Sequence, residues 1–271
     1  MAEFATIDLS REGPVATLTL NRPDVRNAMN PEMISEIRGV FDALSNEEDI
    51  RVIVIQGAGP GFCAGGDLNW MRDVLGQTEQ EVVEDSRKLL RMYRAINDCP
   101  KLVIARLHGV AVAGALGIAA CSDVVIAEAE TKFCVSEVKL GLVAGIIGAF
   151  IIPRTGPGWF RYFAKTAVVF DADTARQAGL VHVVANGDDG LEAAVAQHVK
   201  LGLTASPDAI RSTGELVDAF GYEITEENFD IGLKFNAKAR LSNAAQEGIS
   251  AFLEKKSPAW SKPGSFSGRG K

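Results

Sequence analysis

The chain has 271 residues, of which 47% are hydrophobic and 23% charged, and its formal net charge is −7. These values are ordinary for a globular protein with one large domain. The negative charge disfavours nucleic acid as the main partner, because phosphate binding requires a basic surface. No apolar stretch reaches the roughly 18–20 uncharged residues needed to span a bilayer. We therefore predict neither a nucleic-acid partner nor a membrane partner.

The cysteines and the first residues of the chain bear on metal binding and location. Cys63, Cys99, Cys121 and Cys134 show no paired spacing of the kind that metal sites use. The N-terminus has neither the basic region nor the apolar core of a secretion signal. We therefore predict a cytoplasmic protein with reduced thiols and without a metal site.

Strands and helices alternate over the first two thirds of the chain. Apolar runs and capping signals predict a strand at 15–20, a helix capped by Asn30, a strand at 52–56, a helix opened by the capping box at 78–81, a strand at 102–107, a buried helix within 109–121 and a strand at 124–127. Continuous apolar strands that alternate with helices are typical of a largely parallel sheet that is buried on both faces.

The last third of the chain is predicted to be helical. Helical patterns cover residues 174–178, 190–203, 207–220, 226–241 and 243–256, and Asp173 is the start signal for the first of them. Ser, Gly and Pro are frequent after residue 256. We predict an α/β core over residues 1–200, a helical region over 201–258 and a disordered tail over 259–271.

Two loops of small residues each follow a predicted strand. The first is 62–67 (FCAGGD) and the second is 108–117 (HGVAVAGALG). Such loops expose backbone N–H groups at the edge of a sheet, where these groups bind an anion or polarise a carbonyl. Together the two loops would supply the two donors of an oxyanion hole.

Other readings of the same stretches have less support. Residues 57–62 (GAGPGF) begin like a dinucleotide-binding fingerprint, but Phe62 stands where the third glycine is needed. His108 precedes a loop glycine and is more typical of a turn residue than of a base.

Glu137 lies in an apolar neighbourhood that would raise the pKa of its carboxyl and suit acid–base chemistry. The spacing alone favours the alternative, a surface Glu at a helix N-terminus.

Taken together, the motifs resemble the crotonase superfamily, which contains the enoyl-CoA hydratases and isomerases. The matching segments, in the family's order and spacing, are 21–29, 62–68, 108–117, 136–141, 178–184 and 252–256. The resemblance covers residues 5–258 and implies an α/β fold with a ββα spiral core and a helical C-terminal oligomerisation region. It also implies a homotrimer or a dimer of trimers.

The resemblance assigns roles to individual residues. Glu137 becomes the acid–base residue, and the backbone N–H groups of Gly66 and Gly114 become the donors that stabilise the enolate of an acyl-CoA thioester. Substrate binding is assigned to Val25, Arg26, Cys63, Ala64, Asp67, Leu68, Trp70 and Gly117, with Lys255 or Lys256 for the phosphates of CoA. Coenzyme A enters as part of the substrate, and no tightly bound cofactor is expected.

One departure leaves the reaction open. Hydratases of the two-glutamate type carry a Glu at the position of Gly117, so Glu137 is the only acid left here. A hydratase, a single-glutamate isomerase and a catalytically silent acyl-CoA binder all remain alternatives. Residues 69–72 (NWMR) also resemble methylglutaconyl-CoA-type hydratases, although Trp70 and Met71 would equally form a plain apolar wall. The apolar run at 144–152 predicts a pocket for an uncharged acyl tail.

Overall fold

The computed structural model describes residues 4–73, 75–220 and 226–256, so the predicted tail at 259–271 lies outside the described residues. The strands are β1 Ile7–Glu12, β2 Val15–Leu20, β3 Val52–Gly57, β4 Leu102–Leu107, β5 Val110–Val112, β6 Val124–Glu128, β7 Lys132–Cys134 and β8 Val183–Ala185. The helices are α1 Pro31–Leu44, α2 Leu68–Asp73, α3 Glu79–Asn97, α4 Gly114–Cys121, α5 Gly145–Thr166, α6 Ala172–Gln177, α7 Gly187–Thr204, α8 Pro207–Phe220, α9 Glu226–Arg240 and α10 Asn243–Leu253. Short 3₁₀ turns cover Pro23–Val25 and Glu137–Leu140.

The main sheet has the strand order β1-β2-β3-β4-β6-β8. Only β1 and β2 pair antiparallel, and every other pair in this sheet is parallel. Strand β3 is apolar throughout because both of its faces are buried. Ile53 and Ile55 belong to the larger core cluster, whereas Val52 and Val54 belong to a second cluster with Leu191 of α7. The predicted parallel sheet, buried on both faces, is confirmed.

The capping signals of the two long N-terminal helices are confirmed. The side chain of Asn30 accepts a hydrogen bond from the N–H of Met33 at 2.9 Å, and Pro31 is the first residue of α1. Thr78 and Glu81 form the reciprocal capping box that opens α3. Side chains thus satisfy backbone donors that the first turn of each helix leaves open.

Several elements differ from the sequence prediction. Residues 110–112 form β5, which pairs with β7, so the predicted buried helix within 109–121 is confined to α4. The edge strand β1 escaped prediction because it is mostly polar and only Ile7 is buried. Helix α6 begins at Ala172 with Asp171 as its cap, and Asp173 lies inside it. Strand β8 was also not predicted.

Helix α5 was missed because its sequence contains helix breakers. Pro153 and Pro157 lie inside it, and Gly156 has a φ of +71° that interrupts the helical backbone. The helix is therefore kinked at Gly156, which is the expected effect of Pro and Gly in a helix interior. Its apolar first half, with Ile146, Ile147 and Phe150 buried, packs into the core.

The C-terminal helices pack on the core of the same chain. Helix α9 contacts α3 and α5, and α10 contacts the 3₁₀ turn Glu137–Leu140. The approach of α10 is close, since a Cβ at Gly248 would lie 2.6 Å from the backbone of Leu140. Residues 226–253 therefore help to enclose the region around Glu137. The assembly role predicted for residues 201–258 stays a prediction.

Candidate active site

The two loops of small residues lie side by side. The N–H of Cys63 donates to the carbonyl of Val110, and the N–H of Val112 donates to the carbonyl of Cys63, both at 3.1 Å. Gly65 has a φ of +95°, and a Cβ on it would lie 2.9 Å from the carbonyl oxygen of Val112. Only glycine permits this conformation and this approach. The first loop is thereby held against β5, next to the start of α4.

The backbone donors predicted at Gly66 and Gly114 are available. Met29 fixes the first loop by donating to Gly65 and accepting from Asp67, and the N–H of Gly66 between them has no acceptor among the described residues. Gly114 begins α4, so its N–H has no intrahelical acceptor. Before it, Ala113 has φ 50° and ψ −116°, a strained conformation for a non-glycine residue. Such strain is typical of functional sites.

A cavity of about 100 Å³ joins both glycines to Glu137. It lies between the two loops, the 3₁₀ turn, the start of α5, and the helices α3 and α9. The residues that line it are Met29, Gly66, Trp70, Met71, Ser86, Leu89, Ala113, Gly114, Glu137, Leu142, Val143, Ala144, Gly145, Ile146, Ile147, Asn236 and Arg240.

Glu137 has the environment of an acid–base residue. The residue as a whole is only partly buried, but its Oε2 is fully buried and has no hydrogen-bond partner among the described residues. Desolvation by burial raises the pKa of this carboxyl from 4.5 to about 7. Near neutral pH such a group both takes and returns a proton. The alternative of an exposed Glu at a helix N-terminus does not fit this burial.

Comparison with known proteins identifies the family. A family model described as "Enoyl-CoA hydratase/isomerase" matches residues 10–263. The chain belongs to this family. It is 32% identical over 259 residues to a crotonyl-CoA hydratase of Syntrophomonas wolfei, covering 93% of this chain and 96% of the relative. It is 30% identical over 250 residues to a 1,2-epoxyphenylacetyl-CoA isomerase of Escherichia coli, covering 91% and 95%.

Solved structures show the same fold. The structure of an enoyl-CoA hydratase from Mycobacterium avium matches with a TM-score of 0.84 and 29% identity, covering 95% of this chain and all of that chain. One from Shewanella pealeana matches with a TM-score of 0.78 and 32% identity, covering 95% and 97%. The predicted crotonase-type α/β fold is therefore confirmed.

Gly117 proves to be a packing position rather than part of the cavity wall. It is buried in α4, and a Cβ on it would lie 2.7 Å from the ring of Tyr93 and 2.8 Å from Ile147. The hydroxyl of Tyr93 donates to the carbonyl of Gly114 at 2.8 Å. In this member of the family, Tyr93 therefore fills the space beside position 117 and holds the residue that carries a predicted donor. Nothing in the sequence around Tyr93 indicates this role.

Two predicted binding residues of the first loop, Asp67 and Cys63, have side chains that interact within the protein or are buried in it. Asp67 forms a salt bridge with Arg22 at 2.8 Å and accepts a hydrogen bond from the N–H of Asn69. The thiol of Cys63 is buried, which raises its pKa to about 12 and makes it a poor nucleophile. These contacts explain both side chains without a substrate.

The remaining predicted binding residues lie outside the cavity wall, except Trp70, which lines it. The N–H of Ala64 donates to the carbonyl of Arg26 at 2.9 Å, so the first loop adjoins the turn that contains Val25. Val25 and Leu68 are exposed large apolar side chains. Lys255 and Lys256 are exposed, and the amine of Lys256 lies 2.6 Å from the carboxylate of Glu254. Their contacts with CoA stay predictions.

Part of the cavity lining departs from the predicted apolar pocket. Ala144, Ile146 and Ile147 do form an apolar lining, as residues 144–152 predicted. Helices α3 and α9, however, contribute Ser86, Asn236 and Arg240. These three residues were not predicted, because nothing in their local sequence marks them and α9 meets α3 only in the tertiary structure. The lining is therefore less apolar than residues 144–152 alone indicated, and the uncharged acyl tail stays a prediction.

Metal-binding clusters and membrane-spanning helices were sought among the described residues, 4–73, 75–220 and 226–256. Within them, no group of three or more His, Cys, Asp or Glu side chains is arranged to hold a metal ion. None of the helices in this part of the chain has the length and apolar character needed to cross a membrane.

Proposed function

We propose that this enzyme moves the double bond of an enoyl-CoA thioester, with Glu137 as the one group that takes and returns the proton. The observation that carries the proposal is that Glu137 is the only acidic residue among the residues found to line the cavity. Double-bond migration removes a proton from one carbon and adds a proton at another, so one carboxyl is sufficient. The packing of Tyr93 against Gly117 leaves no room for a second glutamate there.

The reaction follows from the arrangement of donors and base. The thioester oxygen would accept hydrogen bonds from the N–H groups of Gly66 and Gly114. The ionised carboxylate of Glu137 would take a proton from C2 of a 3-enoyl-CoA, and the electron pair would move onto the thioester oxygen as a dienolate. Return of the proton to C4 gives the 2-enoyl-CoA. Each donor to such an oxyanion contributes about 2.7–4 kcal/mol to lowering the barrier.

Two features strengthen the oxyanion site. Gly114 stands at the N-terminus of α4, where the helix dipole favours negative charge. The apolar wall of Ala144, Ile146 and Ile147 keeps the site poor in water, which strengthens the hydrogen bonds that the oxyanion accepts.

Hydration of a 2-enoyl-CoA is the second candidate. It is favoured by the relative named crotonyl-CoA hydratase, which is 32% identical over nearly the whole chain. With one carboxyl, Glu137 would have to activate the water and also deliver the proton to C2. This is the harder task, because no second carboxylate lines the described cavity to hold the water.

Separate incubations with crotonyl-CoA and with a 3-enoyl-CoA distinguish the candidates. Mass spectrometry and chromatography of the products should show conversion of the 3-enoyl-CoA to its 2-enoyl isomer without a change of mass. Crotonyl-CoA should remain largely unhydrated. Addition of water to crotonyl-CoA at a comparable kcat/KM would instead support the hydratase. Absence of turnover with a panel of acyl-CoA thioesters that do bind would support the silent binder.

We further propose that CoA enters only as part of the substrate and that the protein assembles as a homotrimer or a dimer of trimers. The assembly is supported by apolar side chains exposed on α8, where Leu216 is 51% and Val217 is 47% exposed. Light scattering after size exclusion measures the number of subunits, and a monomer would contradict the proposal. The predicted cytoplasmic location stays a prediction.

A further inference from the structure

The most unusual group in the cavity wall is the guanidinium of Arg240. Only 9% of this side chain is exposed. Its ion-pair partner is Asp85, with Nη1 and Oδ2 at 3.9 Å, which is too long for a hydrogen bond. The guanidinium also lies over the ring of Trp70, 5.6 Å from its centroid. A buried cation normally has its N–H groups paired by hydrogen bonds, because desolvation is otherwise costly.

The carboxylate of Asp85 already interacts with other side chains. Its Oδ2 accepts a hydrogen bond from Nε1 of Trp70 at 2.7 Å, and its Oδ1 lies 3.6 Å from the amine of Lys88. Arg240 and Lys88 thus share one carboxylate, and the group of three carries a net positive charge. The side chain of Arg240 donates no hydrogen bond to any residue in the described part of the chain, so its guanidinium keeps N–H donors for a ligand in the cavity that it lines.

Two neutral polar groups stand on the same wall. Nδ2 of Asn236 donates to Oγ of Ser86 at 2.6 Å. Because the oxygen of Ser86 acts as the acceptor in this bond, its hydroxyl proton remains free to be donated. Both residues line the cavity together with Arg240, and Ser86 is 1% exposed. This part of the lining is therefore rich in donors and positively charged, whereas the residues that α5 contributes are apolar.

We propose that Arg240, assisted by Ser86 and Asn236, binds a carboxylate at the distal end of the acyl group, so that the substrate is an enoyl-CoA whose acyl chain ends in a carboxylate. The inference rests on the proposed function only in that this cavity holds the acyl part of an acyl-CoA. A planar guanidinium matches a carboxylate by two parallel hydrogen bonds. The apolar wall would contact the carbon chain between the thioester and the carboxylate.

The competing explanation is structural. Arg240 and Trp70 would then only fix α9 to α2 and α3 through Asp85, and the cavity would accept any short acyl chain. The two explanations differ in the selectivity of binding. A structural role affects acyl-CoA thioesters with and without a terminal carboxylate equally, whereas a binding role affects their ratio.

The test measures binding of saturated acyl-CoA thioesters by calorimetry, which requires no turnover and is therefore independent of the reaction proposed above. Succinyl-, glutaryl- and adipyl-CoA are each compared with the monocarboxylic thioester of the same carbon count. We expect the best of the three to bind at least about tenfold more tightly than its partner. In Arg240→Met this ratio should fall to about 1, and in Arg240→Lys it should be partly retained.

The matched control is Lys238→Met, which removes an exposed cation from the same helix and should leave the ratio unchanged. If Arg240→Met does not fold, the double variant Asp85→Asn/Arg240→Met, which leaves no unpaired carboxylate, takes its place. The proposal is overturned if no dicarboxylic thioester is preferred by the unmodified protein. It is equally overturned if the preference survives the loss of Arg240.

Discussion

Replacement of Glu137 by glutamine tests the centre of the mechanism. The amide has nearly the same shape as the carboxyl, but it neither takes nor returns a proton. General acid–base catalysis by one residue contributes about 10²–10⁴-fold to a rate. In this cavity Glu137 is the only acid among the described lining residues, so the loss in kcat should lie at the upper end of that range. Binding of a saturated acyl-CoA should persist.

The same substitution should stabilise the fold, and the size of the effect follows from the pKa. Burial raises the pKa of Glu137 from 4.5 to about 7, which corresponds to a difference of at most ~3 kcal/mol between its two protonation states. Between these two values the unfolded chain has an ionised carboxylate, whereas the folded protein keeps the proton. The free energy of unfolding therefore falls as the pH rises through this window, and it levels off above about 7.

Glutamine does not ionise, so the free energy of unfolding of Glu137→Gln does not fall with pH in this way. Urea unfolding at about pH 5.5 and about pH 8 should show that the stability advantage of the variant is ~2 kcal/mol greater at the higher pH. Glu48→Gln, an exposed substitution of the same type, is the control and should show no such dependence. Full turnover by Glu137→Gln, or an advantage that does not depend on pH, would refute the assignment of Glu137.

Three further substitutions probe the support of the oxyanion site. Gly114→Ala places a Cβ against Cε of Met29 and 2.9 Å from the hydroxyl of Tyr93, so these side chains or the start of α4 must shift. If the Gly114 N–H is displaced, kcat should fall about 10²–10³-fold in steady-state assays. Tyr93→Phe removes the hydrogen bond to Gly114 and should cost ~1 kcal/mol of stability by urea unfolding, with a fall in kcat; unchanged kcat would show that this bond does not position the donor. Gly117→Glu should destabilise the protein by ~2 kcal/mol or more and create no hydratase, because its Cβ would lie 2.7 Å from the ring of Tyr93; a stable, hydrating variant would contradict this.

Elements with a strong local signal were predictable. Helix α1 has both a capping residue and an apolar stripe, and it begins at Pro31 as predicted. Strand β3 is apolar on both faces, and it lies inside the sheet. Where a local signal is weak or contrary, prediction failed. Helix α5 contains two prolines, and β1 owes its place to its pairing with β2 rather than to apolar residues.

The site divides in the same way. The small residues of the two loops are readable from the sequence, because a close backbone approach demands glycine and each loop follows an apolar strand. The role of Glu137 followed only from the family resemblance, since the spacing alone favoured a surface residue. The role of Tyr93 was not readable. It depends on the packing of α3 against α4, two elements that are separated by β4 and β5 in the chain.

The sequence was therefore sufficient to identify the family and the fold class, and to predict the two backbone donors and the acid that the proposed reaction uses. These depend on local conformation and on residue types at fixed spacing. The tertiary structure was needed to show that Oε2 of Glu137 is buried with no partner among the described residues, that Tyr93 occupies the space beside Gly117 and that Arg240 lies in the cavity wall. Burial, steric exclusion and the pairing of charges arise from contacts between distant segments, and the pattern of a single segment does not encode them.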